Sequence, residues 1–253
     1  MEQTGWHGHY LGEVELVVQK HKLRKARAVL LDRRAVQKMA GEPDSGVQTA
    51  LQEIETKNKT EFQQVVAMSP RAMSGDRNLV RVQESELGNL TADAMRWGAD
   101  ADAAVVNGGG IRADLPAGQL TRADLMSVFP FGNTLLKLEV RGKAIHDMLE
   151  QSVKFLPAPS GGFLQVSGLT FTLNKSAKAG KRVTDIRIGN APVEPDKLYT
   201  LAVNDFNAAG GDGYTMLKAA KIVGEYGTLE EIFASYLNQR GIQPADIGRI
   251  TVK

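Results

Sequence analysis

The chain has 253 residues, 42% of them hydrophobic and 24% charged, enough to bury a substantial core in one or two domains. Its 31 Lys and Arg against 29 Asp and Glu leave a net charge of +2, which gives no general drive toward nucleic acid or membrane, so any anion binding must be local. The absence of cysteine removes disulfides, thiolate nucleophiles and zinc–thiolate centres together.

At the N-terminus, Met1 to Trp6 has neither the basic nor the apolar region of a secretory signal, and no stretch of the chain is apolar for long enough to span a bilayer. His7 and His9, two apart, would share one face of a strand, a spacing compatible with metal ligation. They lack a recognisable partner set, and His21 and His146 stand in unrelated contexts, so a non-ligating role is the reading adopted. Val14 to Val18 and Ala26 to Leu31 flank the polar Gln19 to Lys25 and predict a β-hairpin. Residues 33–44, polar and containing Gly41 and Pro43, predict a linker. Ser45 to Lys57 predicts a helix, with Val47, Leu51 and Ile54 at helical spacing and a Ser45/Gln48 capping box.

Farther along, Phe62 to Met68 predicts a strand and Glu84 to Trp97 a helix bearing Leu87, Leu90 and Ala94. Ala103 to Val106 is a short apolar strand, and Thr121 caps a helix reaching Val128. Leu135 to Val140 predicts a strand, Lys143 to Phe155 a helix, and Phe163 to Leu173 and Val183 to Ile188 two strands, the second entering a turn at Asn190. Leu198 to Val203 predicts a buried strand, and Thr228-Leu229-Glu230-Glu231 a capping box for a last helix to Gln239. Helices and strands intermix without strict βαβ alternation, which favours α+β. Polar glycine loops follow both Val106 and Val203, a hint of internal duplication.

Those two loops carry the chemistry. Asn107-Gly108-Gly109-Gly110-Ile111-Arg112 has three consecutive glycines whose N–H groups are expected to form an anion-binding concavity, beside an Arg suited to phosphate or carboxylate. It is neither a Walker loop nor a dinucleotide fingerprint, since no Gly-Lys-Ser/Thr follows. Phe129-Pro130-Phe131-Gly132-Asn133 comes next. Asn204-Asp205-Phe206-Asn207-Ala208-Ala209-Gly210-Gly211-Asp212-Gly213-Tyr214 then sets one aromatic ring among amides, carboxylates and glycines, as suits a ligand-facing loop on a rigid element. Both could also be ordinary turns with core phenylalanines.

In this order, the three motifs resemble the C-terminal domain of the 5′-nucleotidase family, most closely the bacterial periplasmic 5′-nucleotidase/UDP-sugar hydrolases. The resemblance covers residues 60–253, and residues 5–32 are similar to the last strands of the family's N-terminal metallophosphatase domain. It implies a mixed, layered α/β/β/α domain over 60–253, a linker helix over 45–59, and the tail of the metallophosphatase domain with its linker over 1–44. The chain is then expected to begin inside a larger protein, periplasmic or extracellular.

By motif, the resemblance implies a substrate-binding set. Phe131 and Phe206 would sandwich a nucleobase. Asp212 would accept hydrogen bonds from ribose hydroxyls, Asn133 would meet the base edge and Gly161 would offer backbone there. Arg77, Arg81 and Arg112 would face phosphate and ribose; on residues alone, Arg77 and Arg81 could equally be a solvated face. The family's two divalent metal ions are held by Asp, His and Asn motifs upstream of Trp6 to Leu11, and none of those motifs occurs here, so no metal, cofactor or catalytic residue is expected in this chain. Its partners would be a nucleotide or nucleoside and the metallophosphatase domain, whose dimetal site substrate would reach by rotation about a hinge near Lys57 to Phe62. Related cyclic-nucleotide phosphodiesterases or a thiosulfohydrolase branch, and a stand-alone nucleoside-binding or assembly module, are the alternatives.

Overall fold

The computed structural model describes residues 4, 9–242 and 247–253; His7 lies outside them. The chain divides into two units, residues 1–59 and 60–253.

In the first unit, β1 (Tyr10–Gln19) and β2 (Lys22–Asp32) pair antiparallel. Lys20 and His21 connect them with φ of 48° and 59°, the left-handed pair whose twist matches a two-residue hairpin. The strands therefore run through most of the polar segment expected as the turn. The expected linker contains α1 (Arg33–Met39), started by Asp32, whose side chain accepts the Ala35 N–H at 2.7 Å. α2 (Ser45–Phe62) is capped by Asp44 rather than by the predicted Ser45/Gln48 box: Asp44 Oδ1 accepts the Val47 N–H at 3.0 Å, and its carbonyl takes the Gln48 N–H. Lys57 to Phe62, the expected hinge, forms the C-terminal end of this helix.

The second unit begins with β3 (Val65–Ser69), α3 (Arg77–Val80), α4 (Glu86–Ala99), β4 (Ala103–Asn107), β5 (Gly118–Thr121) and α5 (Arg122–Val128). β6 (Thr134–Arg141), α6 (Gly142–Val153), β7 (Leu164–Ser167), β8 (Leu169–Leu173), β9 (Val183–Ile188) and β10 (Ala191–Pro192) follow. β11 (Leu198–Asn204), α7 (Asp205–Ala208), β12 (Lys221–Thr228), α8 (Leu229–Arg240) and β13 (Ile250–Val252) complete it. The fold is α+β. A five-stranded sheet of order β12-β6-β11-β4-β7 mixes parallel and antiparallel neighbours, beside a four-stranded sheet β10-β9-β8-β13 and the pair β3-β5.

The central strands of the larger sheet are buried on both faces, and their side chains alternate between two cores. Ala104, Val106 and Ala202 face a cluster built with α4, α5 and α8, including Leu87, Met95, Leu125 and Phe233. Val105, Leu201 and Val203 face the other, built with α6 and the four-stranded sheet, including Leu149, Phe171 and Val183. The cap expected at Thr121 is a full capping box, its hydroxyl accepting the Asp124 N–H at 3.2 Å while Asp124 accepts the Thr121 N–H at 2.8 Å. Of the box expected at Thr228 the returning half forms, with Glu231 accepting the Thr228 N–H at 3.1 Å.

The single strand expected over Phe163 to Leu173 is two. Gly168 breaks it with φ 71°, at a point where a Cβ would stand 2.3 Å from the Asp102 carbonyl oxygen, and the chain passes from the five-stranded to the four-stranded sheet. α4 begins after Ser85, whose hydroxyl accepts the Gly88 N–H. Glu84 stays outside the helix. Its carboxylate instead accepts the N–H groups of Gly248, Arg249 and Ile250 at 3.0, 3.0 and 3.1 Å and fastens the entry to β13. Among the described residues no helix is long and apolar enough to cross a membrane.

The Glu84 clasp should be measurable. Water can replace the carboxylate at the exposed Gly248 donor and in part at Arg249 and Ile250, so Glu84→Ala should destabilise this unit by roughly 2–3 kcal/mol in urea unfolding, about the worth of one fully kept bond to a charged acceptor. The Ile250 amide should lose its hydrogen-exchange protection first.

Candidate functional site

β4 and β11 lie side by side and parallel, with Leu201 opposite Ala103 and Ala202 opposite Ala104. Both polar loops therefore leave the same edge of the sheet, outside the carboxyl ends of adjacent strands, where open α/β sheets place their ligands. Each strand ends in an asparagine, and the two are joined. Asn204 Nδ2 donates to Asn107 Oδ1 at 3.0 Å, and Asn107 Nδ2 donates to Asp212 Oδ2 at 2.9 Å. Asn204 Oδ1 closes the chain by accepting the Asn207 N–H at 2.8 Å, the N-cap bond of α7. Both asparagines are buried, whereas Asp212 is exposed in the left-handed region at φ 53°.

Seven of the eight expected site residues, Arg81, Arg112, Phe131, Asn133, Gly161, Phe206 and Asp212, line one cavity of about 350 Å³ with Asn107, Gly109 and Gly110. That volume falls within the range of about 300–1,000 Å³ typical of small-molecule sites. Arg77 is not among the lining residues. It is exposed at the start of α3, whose N-cap Asp76 holds the Asn78 N–H, and its charge reaches the cavity only through its effect on Arg81. Asn107 was not anticipated as a lining residue. Its sequence signal was a polar amide ending an otherwise apolar strand.

The two rings are surface features. Phe131 is 60% and Phe206 44% exposed, against 4% or less for Phe129, Phe163, Phe171 and Phe233, which excludes the core reading for both. Phe131 follows the buried Phe129 and the exposed Pro130, and the Arg112 guanidinium stands 5.7 Å from its ring centroid in cation–π range. Phe206 rests on glycine: a Cβ at Gly211 would come within 2.5–2.6 Å of three ring carbons.

Two of the three glycines do not display their N–H groups as expected. Gly108 N–H donates to the Phe163 carbonyl and Gly109 N–H to the Gly161 carbonyl, both at 2.7 Å. The glycines serve close packing instead. A Cβ at Gly108 would stand 2.1 Å from the Val80 carbonyl oxygen, and one at Gly109 would stand 3.0 Å from Gly161. This approach brings Arg81 to the cavity, because the Val80 carbonyl is also gripped by the buried Gln165 side chain at 2.9 Å, while the Arg81 carbonyl accepts the Ser160 N–H. Gly161 is fixed on the same side, with its carbonyl spent on Gly109.

Positive charge gathers without full compensation. Burial, and then the like charges of Arg112 and Arg77, lower the Arg81 pKa from its ordinary value, and Asp212 offsets part of this. Arg81 Nε is buried with no hydrogen-bond partner among the described residues. An anion at this end of the cavity would relieve both effects. Asn133 Nδ2, elsewhere on the lining, donates to Asp205 Oδ1 at 2.7 Å, and that oxygen also accepts the Phe206 N–H at 2.8 Å. Among the described residues no group of three or more His, Cys, Asp or Glu stands together to hold a metal ion.

Comparison with known proteins bears on this geometry. The family model for the 5′-nucleotidase C-terminal domain matches residues 64–219. The trifunctional nucleotide phosphoesterase YfkN of Bacillus subtilis is 37% identical over 191 residues, covering 71% of this chain and 13% of that protein. A 5′-nucleotidase of Vibrio cholerae is 32% identical over 207 residues, covering 81% of this chain and 36% of its own. The crystal structure of a 5′-nucleotidase precursor from Thermus thermophilus superposes with a TM-score of 0.74 at 35% identity, over 97% of this chain and 50% of that one. The chain thus spans about a third or less of these curated relatives and half of the solved structure.

Exposure separates the two cavity rings from core phenylalanines energetically. Phe163→Ala should cost about 3–5 kcal/mol of stability, as truncation of a buried ring does, whereas Phe131→Ala and Phe206→Ala should each cost less than about 1 kcal/mol. Thermal and urea unfolding of the three variants checks this.

Proposed function

The chain belongs to the 5′-nucleotidase family through its C-terminal domain, and from that footing we propose that its cavity holds the nucleoside part of a nucleotide. The observation that carries the proposal is two half-exposed aromatic rings, an anchored carboxylate and a partly compensated arginine pair around one cavity. In this reading Phe131 and Phe206 stack on the two faces of the base, a mode that tolerates several bases because each has a π-face. Asn107 occupies Asp212 Oδ2 and leaves Oδ1 to accept from ribose hydroxyls. Asn133 meets the base edge, and Gly161, with its carbonyl already bonded, offers its N–H. Arg81 and Arg112 face the phosphate side, with Arg77 adding charge from outside the cavity wall.

Hydrolysis belongs to a different domain in this proposal. The parent reaction splits a nucleotide phosphate ester into nucleoside and phosphate, with two divalent ions supplying the Lewis acidity and the activated water. The donor set for those ions is not found among the described residues, so no step here runs through a metal. This chain's task is to bind, orient and deliver substrate, in a periplasmic or extracellular parent. The paired rings support a base-bearing substrate over a small sulfur anion.

The isolated chain should bind adenosine and AMP with dissociation constants on the order of millimolar, about −4 kcal/mol, since immobilising the ligand offsets most of two stacks and a ribose bond. Heteronuclear NMR titration reads this, and no shift in any Phe or glycine-loop resonance at high nucleoside concentration would reject the proposal. Phe206→Ala should weaken binding by about 1–3 kcal/mol. Gly211→Ala, which thrusts a methyl into the Phe206 ring, should weaken it in the same sense while the fold stays intact.

Phosphate release from AMP is expected to be absent for the isolated chain with added Mn²⁺, Co²⁺ or Zn²⁺. A malachite green assay would refute this by detecting metal-dependent turnover that follows the purified protein.

A further inference from the structure

The bond between Asn133 and Asp205 ties together the two segments that bear the rings. Asn133 lies two residues after Phe131, and Asp205 lies immediately before Phe206. Asn133 lines the cavity; Asp205 is not among the lining residues. The chemistry of the bond fixes more than the spacing. A carboxylate oxygen only accepts, so the atom that Asn133 turns toward Asp205 is its nitrogen. Flipping the amide would set Oδ1 against the carboxylate, acceptor facing acceptor. Asp205 is itself held, because its Oδ1 also receives the N–H of Phe206 at 2.8 Å. With Nδ2 held by Asp205, Asn133 Oδ1 has no protein donor among the described residues and is available to a group in the cavity that Asn133 lines.

We propose that Asp205 is a specificity-determining positioning residue that locks the Asn133 amide with its oxygen available to the cavity, so that a stacked base is selected by an N–H on its edge. The inference rests on the nucleoside reading of the cavity. It adds that the edge is read in one polarity: a base offering an amino or ring N–H satisfies Oδ1, and a base offering only ring nitrogens leaves it without a donor. Stacking supplies sequence-tolerant affinity, and the locked amide supplies the discrimination.

The test compares adenosine with purine riboside, which has the same ribose and a stacking ring of the same shape but no N–H on its base. Dissociation constants come from NMR titration of the chain. The wild type should bind adenosine roughly five- to tenfold more tightly, the worth of one net hydrogen bond. In Asp205→Ala the amide can turn its N–H to a ring nitrogen of purine riboside, and the ratio should fall to about twofold or less. Asp205→Asn, which keeps the shape and can donate or accept, should give an intermediate ratio, and it carries the test if Asp205→Ala does not fold. A structural role for Asp205 would weaken both ligands together and leave the ratio unchanged; that result overturns the proposal, as does equal binding of the two by the wild type. If neither nucleoside perturbs the cavity resonances, the nucleoside reading itself fails and this inference with it.

Discussion

A directed chain of hydrogen bonds, from the Asp212 carboxylate through Asn107 and Asn204 to the backbone of α7, holds the two loops of the cavity in one arrangement. Its direction is dictated from one end. The carboxylate can only accept, so Asn107 must present its nitrogen there and its oxygen to Asn204; Asn204 must then donate, and its own oxygen remains for the Asn207 N–H. Both amides are buried, where an unmatched polar atom is costly and hydrogen bonds polarise one another. One charge at the cavity surface thereby fixes two side chains beneath it and the start of the helix that carries Phe206.

The sheet makes this chain possible. β4 and β11 are parallel neighbours that each feed two hydrophobic cores, and neither can shift register without moving apolar side chains from one core to the other. The rigid part of the site is therefore the strand ends. The groups proposed to recognise the ligand stand outside it, on short segments: Phe131 and Phe206 are partly solvated, Asp212 sits in a left-handed turn, and glycines at 108, 109 and 211 let backbone or ring approach where a Cβ would collide. The arrangement separates affinity from stability, because the rings that would bind contribute little to the core that holds them up.

Charge is distributed on the same plan. Arg81 and Arg112 are brought together with Arg77 nearby and only Asp212 in partial compensation, a local excess in a chain of nearly balanced charge. Burial first, and then this excess of like charge, lower the Arg81 pKa, and an anion would neutralise the excess. The electrostatic cost is carried by a site that a bound phosphate would relieve, and the remaining surface is left without a general affinity for polyanions.

The α+β class, most elements and seven of the residues that meet at the cavity were legible in the sequence. Apolar periodicity, helix caps at Thr121 and Thr228, and polar glycine loops after apolar strands are local signals, and each is set by a few consecutive side chains. The helix over Arg33–Met39, the Asp44 cap, and β12 with its bulged pairing to β6 escaped it, since their local patterns are weak and other bonds decide them. Only the tertiary structure decided what the glycines do. Their N–H groups were expected to face an anion, but Gly108 and Gly109 spend theirs on Phe163 and Gly161, carbonyls more than fifty residues away in sequence. It also decided that Arg77 stays outside the cavity wall, and that Asn107 bonds to Asp212 and Asn133 to Asp205. The reason is that a residue's type and its place in an element are written in its neighbours, whereas the partner that fixes its orientation comes from a distant strand and exists only when the sheet has formed.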